Sequence, residues 1–197
     1  MLRSSLALGF ARLAPIRPED GAALADYHRI ESPHLKPWDV AWDPRRCDAL
    51  WQARRIEASA GPQPDGSGMR PAHGFGLWAP QDPRQAERLV GLINLEIIRG
   101  GNPGEPVLGL AYSLAAQSQG RGWMFEALQA LWPSVAAGFG GRCQIWAHVR
   151  EDNHRSARLL QRLGFEDRGV DPEFPVVACE GVWRRHHRWV LQLWVLG

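Results

Sequence analysis

Two short segments carry the residue types from which a phosphate-binding site can be built. The first is QSQGRG, Gln117 to Gly122, set between the apolar run LGLAYSL and the amphipathic run WMFEALQAL. Glycines at 120 and 122 let backbone approach a ligand closely, and the amides of Gln119 to Gly122 then converge at a helix start, an anion site suited to a diphosphate. The same glycines also suit a strand-to-helix turn on steric grounds alone. The third glycine of a dinucleotide fingerprint is missing, and no Gly-Lys-Ser/Thr follows as in a P-loop. The second segment, EDNHRSARLLQRLGFEDRG, puts Asn153 and Ser156 in the first turn of a predicted helix.

Other polar residues stand where apolar ones are expected. Glu96 interrupts an apolar strand and is a candidate base facing a cleft. Tyr112 lies two residues before Leu114, on the same strand face, as either a packed aromatic or an orienting group. Lys36 and Trp38 lie in HLKPWD as candidate walls of a cleft, or Trp38 covers core. His186 and His187 sit among Arg184, Arg185 and Arg188, but neighbours on a strand point to opposite faces, so a solvated strand edge is expected there and no metal or anion site.

These residues need elements to hold them. Residues 6–16 read as a first strand ending at Pro15 and Pro18. A helix follows, opened by Pro18, Glu19 and Asp20, with Leu24, Tyr27 and Ile30 at helical spacing. A Pro- and Trp-rich loop leads to Asp43-Pro44, read as N-cap and first residue of a second helix whose Cys47, Leu50, Trp51 and Arg54 share a face. Half of residues 61–74 are Gly or Pro, which marks a surface loop inside the domain. Three apolar runs, 73–80, 88–100 and 106–116, then read as an antiparallel meander. A helix over 120–139 carries Pro133, where a kink or break is expected. Strand 142–149, a helix capped by Asp152 and closed by Gly164, and terminal strands complete the order. The expected class is α+β, a sheet of about seven strands with helices on both faces, ordered β-α-α-β-β-β-α-β-α-β-β, in one domain spanning 1–197.

Composition limits the partners. A formal net charge of +2 is too small for a nucleic-acid footprint. Cys47, Cys143 and Cys179 are odd in number and form no C-x-x-C, so neither a disulfide framework nor a zinc site is indicated. That reads as a reducing, cytoplasmic setting. The longest uncharged stretches have 15 residues, short of a membrane span, and the eight between Arg3 and Arg12 are marginal for a signal-peptide core. Lys36 is the single lysine beside 22 arginines, and there are ten tryptophans, of which Trp38 and Trp42 share the loop before the second helix.

Taken together, Q-x-x-G-x-G and N-x-x-S-x-x-L-L-x-x-L-G-F, joined by a helix and the strand CQIWAHV, resemble the GCN5-related N-acetyltransferase (GNAT) superfamily. Within it the sequence is most similar to ribosomal-protein alanine N-acetyltransferases of the RimJ and RimL type. HLKPWD, LVGLINLEIIRG, AYSL with QSQGRGWMFEAL, and GVWRRHHRWVLQL match that group's motifs in order. The resemblance implies a GNAT-like fold and acetyl-CoA as donor, with no metal. Gln117 would open the phosphate motif, and the pyrophosphate would lie on the amides of Gln119, Gly120, Arg121 and Gly122. The pantetheine arm would run along the Leu114 strand end between splayed neighbours, its thiol end near Asn153 and Ser156. The tyrosine acid that many relatives carry seven residues after the Asn is Leu160 here. In the RimL-like branch the acid and base would map onto Ser156 and Glu173, although Ser156 also suits a bond to its own helix and Glu173 a solvated loop. The implied acceptor is a protein N-terminal α-amine. A small amine (amino acid, polyamine or antibiotic) or a non-catalytic CoA-binding module are the alternatives, and the protein would be a monomer or homodimer.

Overall fold

The computed structural model describes residues 5–39, 42–60, 72–80, 86–98, 106–174, 177–179 and 182–194. Strands β1 (Leu6–Ala7) and β2 (Arg12–Pro15) precede helices α1 (Gly21–Leu35) and α2 (Ala49–Ala60). The meander follows as β3 (Ala72–Pro80), β4 (Glu87–Ile98) and β5 (Val107–Leu114). Then come α3 (Trp123–Gly138), β6 (Arg142–Arg150), α4 (His154–Arg162), β7 (Glu166–Val170), β8 (Val177–Cys179), β9 (Val182–Arg184) and β10 (His186–Trp194). The main sheet has eight strands in the order β1-β2-β3-β4-β5-β6-β10-β7, while β8 and β9 form a separate hairpin. Every pairing in the main sheet is antiparallel except β5 with β6. The α+β class, the meander and the helices on both faces are as the sequence implies.

Several local expectations are corrected. The first strand is two strands joined by a turn, because Leu6 pairs with Leu13 across it. Helix α1 continues through Pro33 to Leu35, taking in residues expected to be loop. It buries Leu24, Tyr27, His28 and Glu31, and leaves Ile30 61% exposed. Asp43 caps only a 3-10 turn, Pro44–Cys47, whereas Asp48 accepts the Trp51 amide at the start of α2. The buried face of α2 is centred on Gln52, and Leu50 and Arg54 point outward. Helix α3 runs on through Pro133 without a break. Asn153, not Asp152, caps α4 through its side chain, and Gly164 at φ 84° ends it as expected. Residues 61–71 of the expected loop lie outside the described residues, and 72–74 belong to β3.

The core fills both sides of the sheet. Leu13, Leu77, Ile93, Leu95, Leu108, Leu128, Leu131 and Ile145 are fully buried. Adjacent residues of β5 show the two faces directly: the Ser113 hydroxyl meets Tyr27 of α1 at 2.9 Å, and the Tyr112 hydroxyl meets Ser156 of α4 at 2.5 Å. Alternation along β6 does the same. Cys143, Ile145, Ala147 and Val149 are buried, while Gln144, Trp146, His148 and Arg150 face the other way. No helix among the described residues is long and apolar enough to cross a membrane.

Candidate active site

Strands β5 and β6 start side by side and then separate. Three registered pairs join them, Val107 with Gln144, Leu108 with Ile145 and Gly109 with Trp146. Beyond Gly109, β5 stays paired to β4 as far as Leu114, and β6 stays paired to β10 as far as Arg150. The facing edges of Leu110 to Leu114 and Ala147 to Arg150 therefore carry no ladder between them. An extended, amide-bearing chain lying in this fork would find backbone donors and acceptors on both sides.

At the tip of the fork the chain turns through Ala116–Ser118 into α3. The Ala115 amide donates to the Val90 carbonyl at 2.8 Å, and the Ala116 amide to the Glu31 carboxylate at 2.9 Å. Gln119 departs from the sequence reading, because its amide closes the turn onto the Ala116 carbonyl at 3.3 Å. Its side chain braces the turn instead. Nε2 donates to His34 at 2.6 Å and to the Leu114 carbonyl at 3.3 Å, and Oε1 accepts from Arg155 at 2.7 Å. Gly120 and Gly122 have φ of 76° and 80°, a left-handed backbone that explains the glycines. A Cβ at Gly120 would meet nothing within 4 Å, so the turn opens to solvent. Gly122 is the N-cap of α3. No side chain caps the first turn of α3, where the helix dipole favours negative charge. Gln117 and Arg121 are exposed, and the Arg121 guanidinium lies over the Trp123 ring at 5.2 Å.

Ser156 and Tyr112 meet in the fork. Asn153 Oδ1 accepts the Ser156 amide at 3.1 Å, which fixes the first turn of α4 and aims the Ser156 hydroxyl at Tyr112. Burial pushes the Tyr112 phenol up to about 12, against the smaller opposing effect of the Ser156 bond. The pair stays protonated near neutrality and can donate to a developing anion.

On the α1 side a cleft of about 1400 Å³ reaches the same fork. Its walls include Leu24, His28, Leu35, Trp38, Glu96, Tyr112, Trp146, His148, Phe174 and His186. Register places Glu96 beside Gly109 and Gly109 beside Trp146, with the Ile98 side chain against the Gly109 backbone. Glu96 and Trp38 line the cleft as the sequence suggested, and Trp38 is 42% exposed with Arg150 stacked over it at 4.3 Å. Lys36 does not line it, lying over Trp42 at 5.5 Å. Glu173 is exposed and off the cleft wall.

The cleft also holds histidines that the motifs did not point to. His148 on β6 stacks on Phe174 and donates from Nε2 to Asp171 at 2.8 Å. Burial works to raise the Asp171 carboxyl, and the bonds from His148 and the Glu173 amide outweigh it, holding Asp171 below its ordinary value. His186 is buried against Phe174, contrary to the expected solvated edge, because β10 lies between β6 and β7 and not at the rim. His187 points the other way, to Asp167. The alternation of RCQIWAHVR could have revealed His148 as a non-core position, but nothing local pairs it with Asp171.

A parallel strand pair that opens into a fork, an uncapped glycine turn at its tip and a cleft on the α1 side are the arrangement a CoA-dependent acyltransferase would need. The chain belongs to the acetyltransferase (GNAT) domain family, whose model matches residues 11–166. It is an acetyl-CoA-dependent N-acetyltransferase. The sequence is 32% identical to the [ribosomal protein uS5]-alanine N-acetyltransferase of Escherichia coli over 87% of this chain and 81% of that one. The fold matches the ribosomal-protein-S5-alanine acetyltransferase of Vibrio fischeri with a TM-score of 0.78 at 19% identity, covering 95% of each chain. Mycobacterium smegmatis RimJ in complex with CoA-disulfide superposes with a TM-score of 0.69 at 23% identity, covering 92% of this chain and 81% of that one.

Proposed function

We propose that the acceptor is the N-terminal α-amine of a protein, a ribosomal protein beginning with alanine, acetylated in the cytoplasm. The observation that carries this is the open cleft on the α1 side, which at about 1400 Å³ exceeds the ~300–1,000 Å³ of small-molecule sites and suits a peptide end. The named relative of Escherichia coli supports the choice of protein and residue. Acetyl-CoA supplies an activated acetyl group as a thioester. The α3 first turn and the Gly120–Gly122 backbone hold its diphosphate, and the open edges of β5 and β6 hold its amide-bearing arm. Glu96 attracts the acceptor's ammonium into the cleft, and Trp38 forms its wall. Attack takes place from the α1 face, where the cleft reaches the fork. Ser156 and Tyr112, on the α4 face, donate to sulfur as it takes the departing electron pair.

An α-amine has an unperturbed pKa of about 7.7 to 8.0, so a modest base suffices to present it neutral. The test is thiol release from acetyl-CoA with alanine-led peptides, the same peptides N-acetylated, and a panel of polyamines and free amino acids. Turnover confined to free-amine peptides is expected. Faster turnover of a small amine than of every peptide would sink the protein-acceptor reading, and no turnover at all with intact acetyl-CoA binding would mark a binding module.

A further inference from the structure

β6 parts from β5 after Trp146, so His148 is the first residue beyond the split whose side chain faces the cleft. Its ring lies nearly parallel to Phe174, with centroids 4.2 Å apart and planes 16° from each other. Its Nε2 lies 2.8 Å from Asp171 Oδ2. The Asp171 side chain is itself held from several sides. It is 5% exposed, accepts the Glu173 amide at 3.0 Å and stands 3.5 Å from the Arg188 guanidinium. Its backbone amide is tied to the His186 carbonyl at 3.0 Å. An ionised carboxylate only accepts hydrogen bonds, so Nε2 carries the proton and Nδ1 keeps a lone pair. A histidine fixed in one tautomer, wedged against an aromatic ring and backed by a buried carboxylate, is the arrangement that general-base catalysis requires.

We propose that His148 is the base that takes the proton from the acceptor amine, with Asp171 as its positioning residue. This rests on the N-acetyltransferase reading and adds the proton's destination to it. The amine nitrogen forms a bond to the acetyl carbon, the carbon–sulfur bond breaks with its electron pair leaving on sulfur, and the ammonium proton passes to His148 Nδ1. The Tyr112 and Ser156 hydroxyls meet on the α4 side of the sheet, whereas the His148 side chain faces the α1 side. Proton removal from nitrogen and stabilisation of the sulfur anion are thereby separated and cannot cancel each other.

The charged groups around His148 come from every neighbouring element. They are Asp171 after β7, Arg188 and His186 on β10, Arg150 on β6, Glu96 on β4 and His28 on α1. Among the described residues, Asp171 is the hydrogen-bond partner of the ring, so Asp171→Asn removes the charge in direct contact with it.

Steady-state kinetics on the full chain with acetyl-CoA and an alanine-led peptide test this. Turnover by the wild type tests the underlying reading, and the variants test His148. His148→Gln should lower kcat by about 10²-fold at pH 7 while leaving the KM for acetyl-CoA and the thermal stabilisation by acetyl-CoA unchanged. Asp171→Asn should move the ascending limb of the kcat–pH profile to lower pH, which a merely structural role would not do. Glu96→Gln is run beside them as the competing base. A His148→Gln enzyme within about threefold of wild-type kcat, an unmoved limb in Asp171→Asn, or the 10²-fold loss appearing in Glu96→Gln alone would overturn the assignment.

Discussion

At the scale of single residues, the site depends on what is absent as much as on what is present. Gly120 contributes a left-handed backbone and no side chain, at a point where space is open. Gly120→Asp is sterically admissible there, since Asp tolerates that backbone better than most residues, but it sets a carboxylate beside amides assigned to a diphosphate. The expected outcome is a modestly lowered melting temperature, from the strain of a non-glycine residue at φ 76°, and loss of most of the stabilisation by acetyl-CoA, read by thermal shift. A retained shift would mean that the anion lies elsewhere. Tyr112 contributes a hydroxyl that stays protonated across the neutral range. Tyr112→Phe should lower kcat by roughly 10- to 10²-fold with little change in either KM, because the lost donor acts on charge that exists only as sulfur departs. An equal rise in KM with kcat intact would instead make Tyr112 a binding group.

Elements position these residues through a small number of long-range polar ties. Glu31 is buried on α1 and receives the Ala116 amide, 85 positions further along, at the point where β5 ends. Glu31→Ala orphans that amide and should cost about 1–3 kcal/mol in urea unfolding, whereas Glu31→Gln keeps an acceptor and should recover most of it. Equal losses in the two variants would show that the carboxylate's charge matters and not its hydrogen bond. Gln119 works likewise, joining α1, the β5 end and α4 around the turn. The α4 cap illustrates local coding meeting tertiary use: Asn153 satisfies the Ser156 amide as any N-cap would, and in doing so holds the Ser156 hydroxyl at Tyr112.

For the whole molecule, a histidine buried in the wall of the α1-side cleft makes stability depend on acid. His28 is buried in its wall, its Nδ1 has no hydrogen-bond partner, and burial, with the nearby Arg46 and Arg55 charges, lowers its pKa to about 4. The unfolded chain takes up this proton near the ordinary histidine value of about 6.5, and the folded chain does so only near 4. Stability from this group is therefore complete above about 6.5 and is lost as pH falls toward 4. His186, lowered in the same direction chiefly by burial, adds to the trend. Melting temperatures should fall between pH 7 and pH 4.5, and His28→Phe should fall less steeply over that window; parallel curves would remove His28 as a contributor.

Local chemistry settled much of this protein from the sequence alone. Left-handed turns need glycine, hence Gly120, Gly122 and Gly164; strand alternation and helical spacing gave the α+β order; and two motifs in register pointed to the family and its donor. Cap identities and element ends slipped by a few residues, since Asp43 and Asp48, or Asp152 and Asn153, are equally good caps by type. Only the tertiary structure decided that β10 enters between β6 and β7, which turned an expected strand edge at His186 into a buried wall. It alone decided that β5 and β6 part after Gly109, that Tyr112 meets Ser156 and that His148 meets Asp171. Such meetings join residues 23 to 44 positions apart, and their geometry follows from sheet order and register, which no local pattern of residue types specifies.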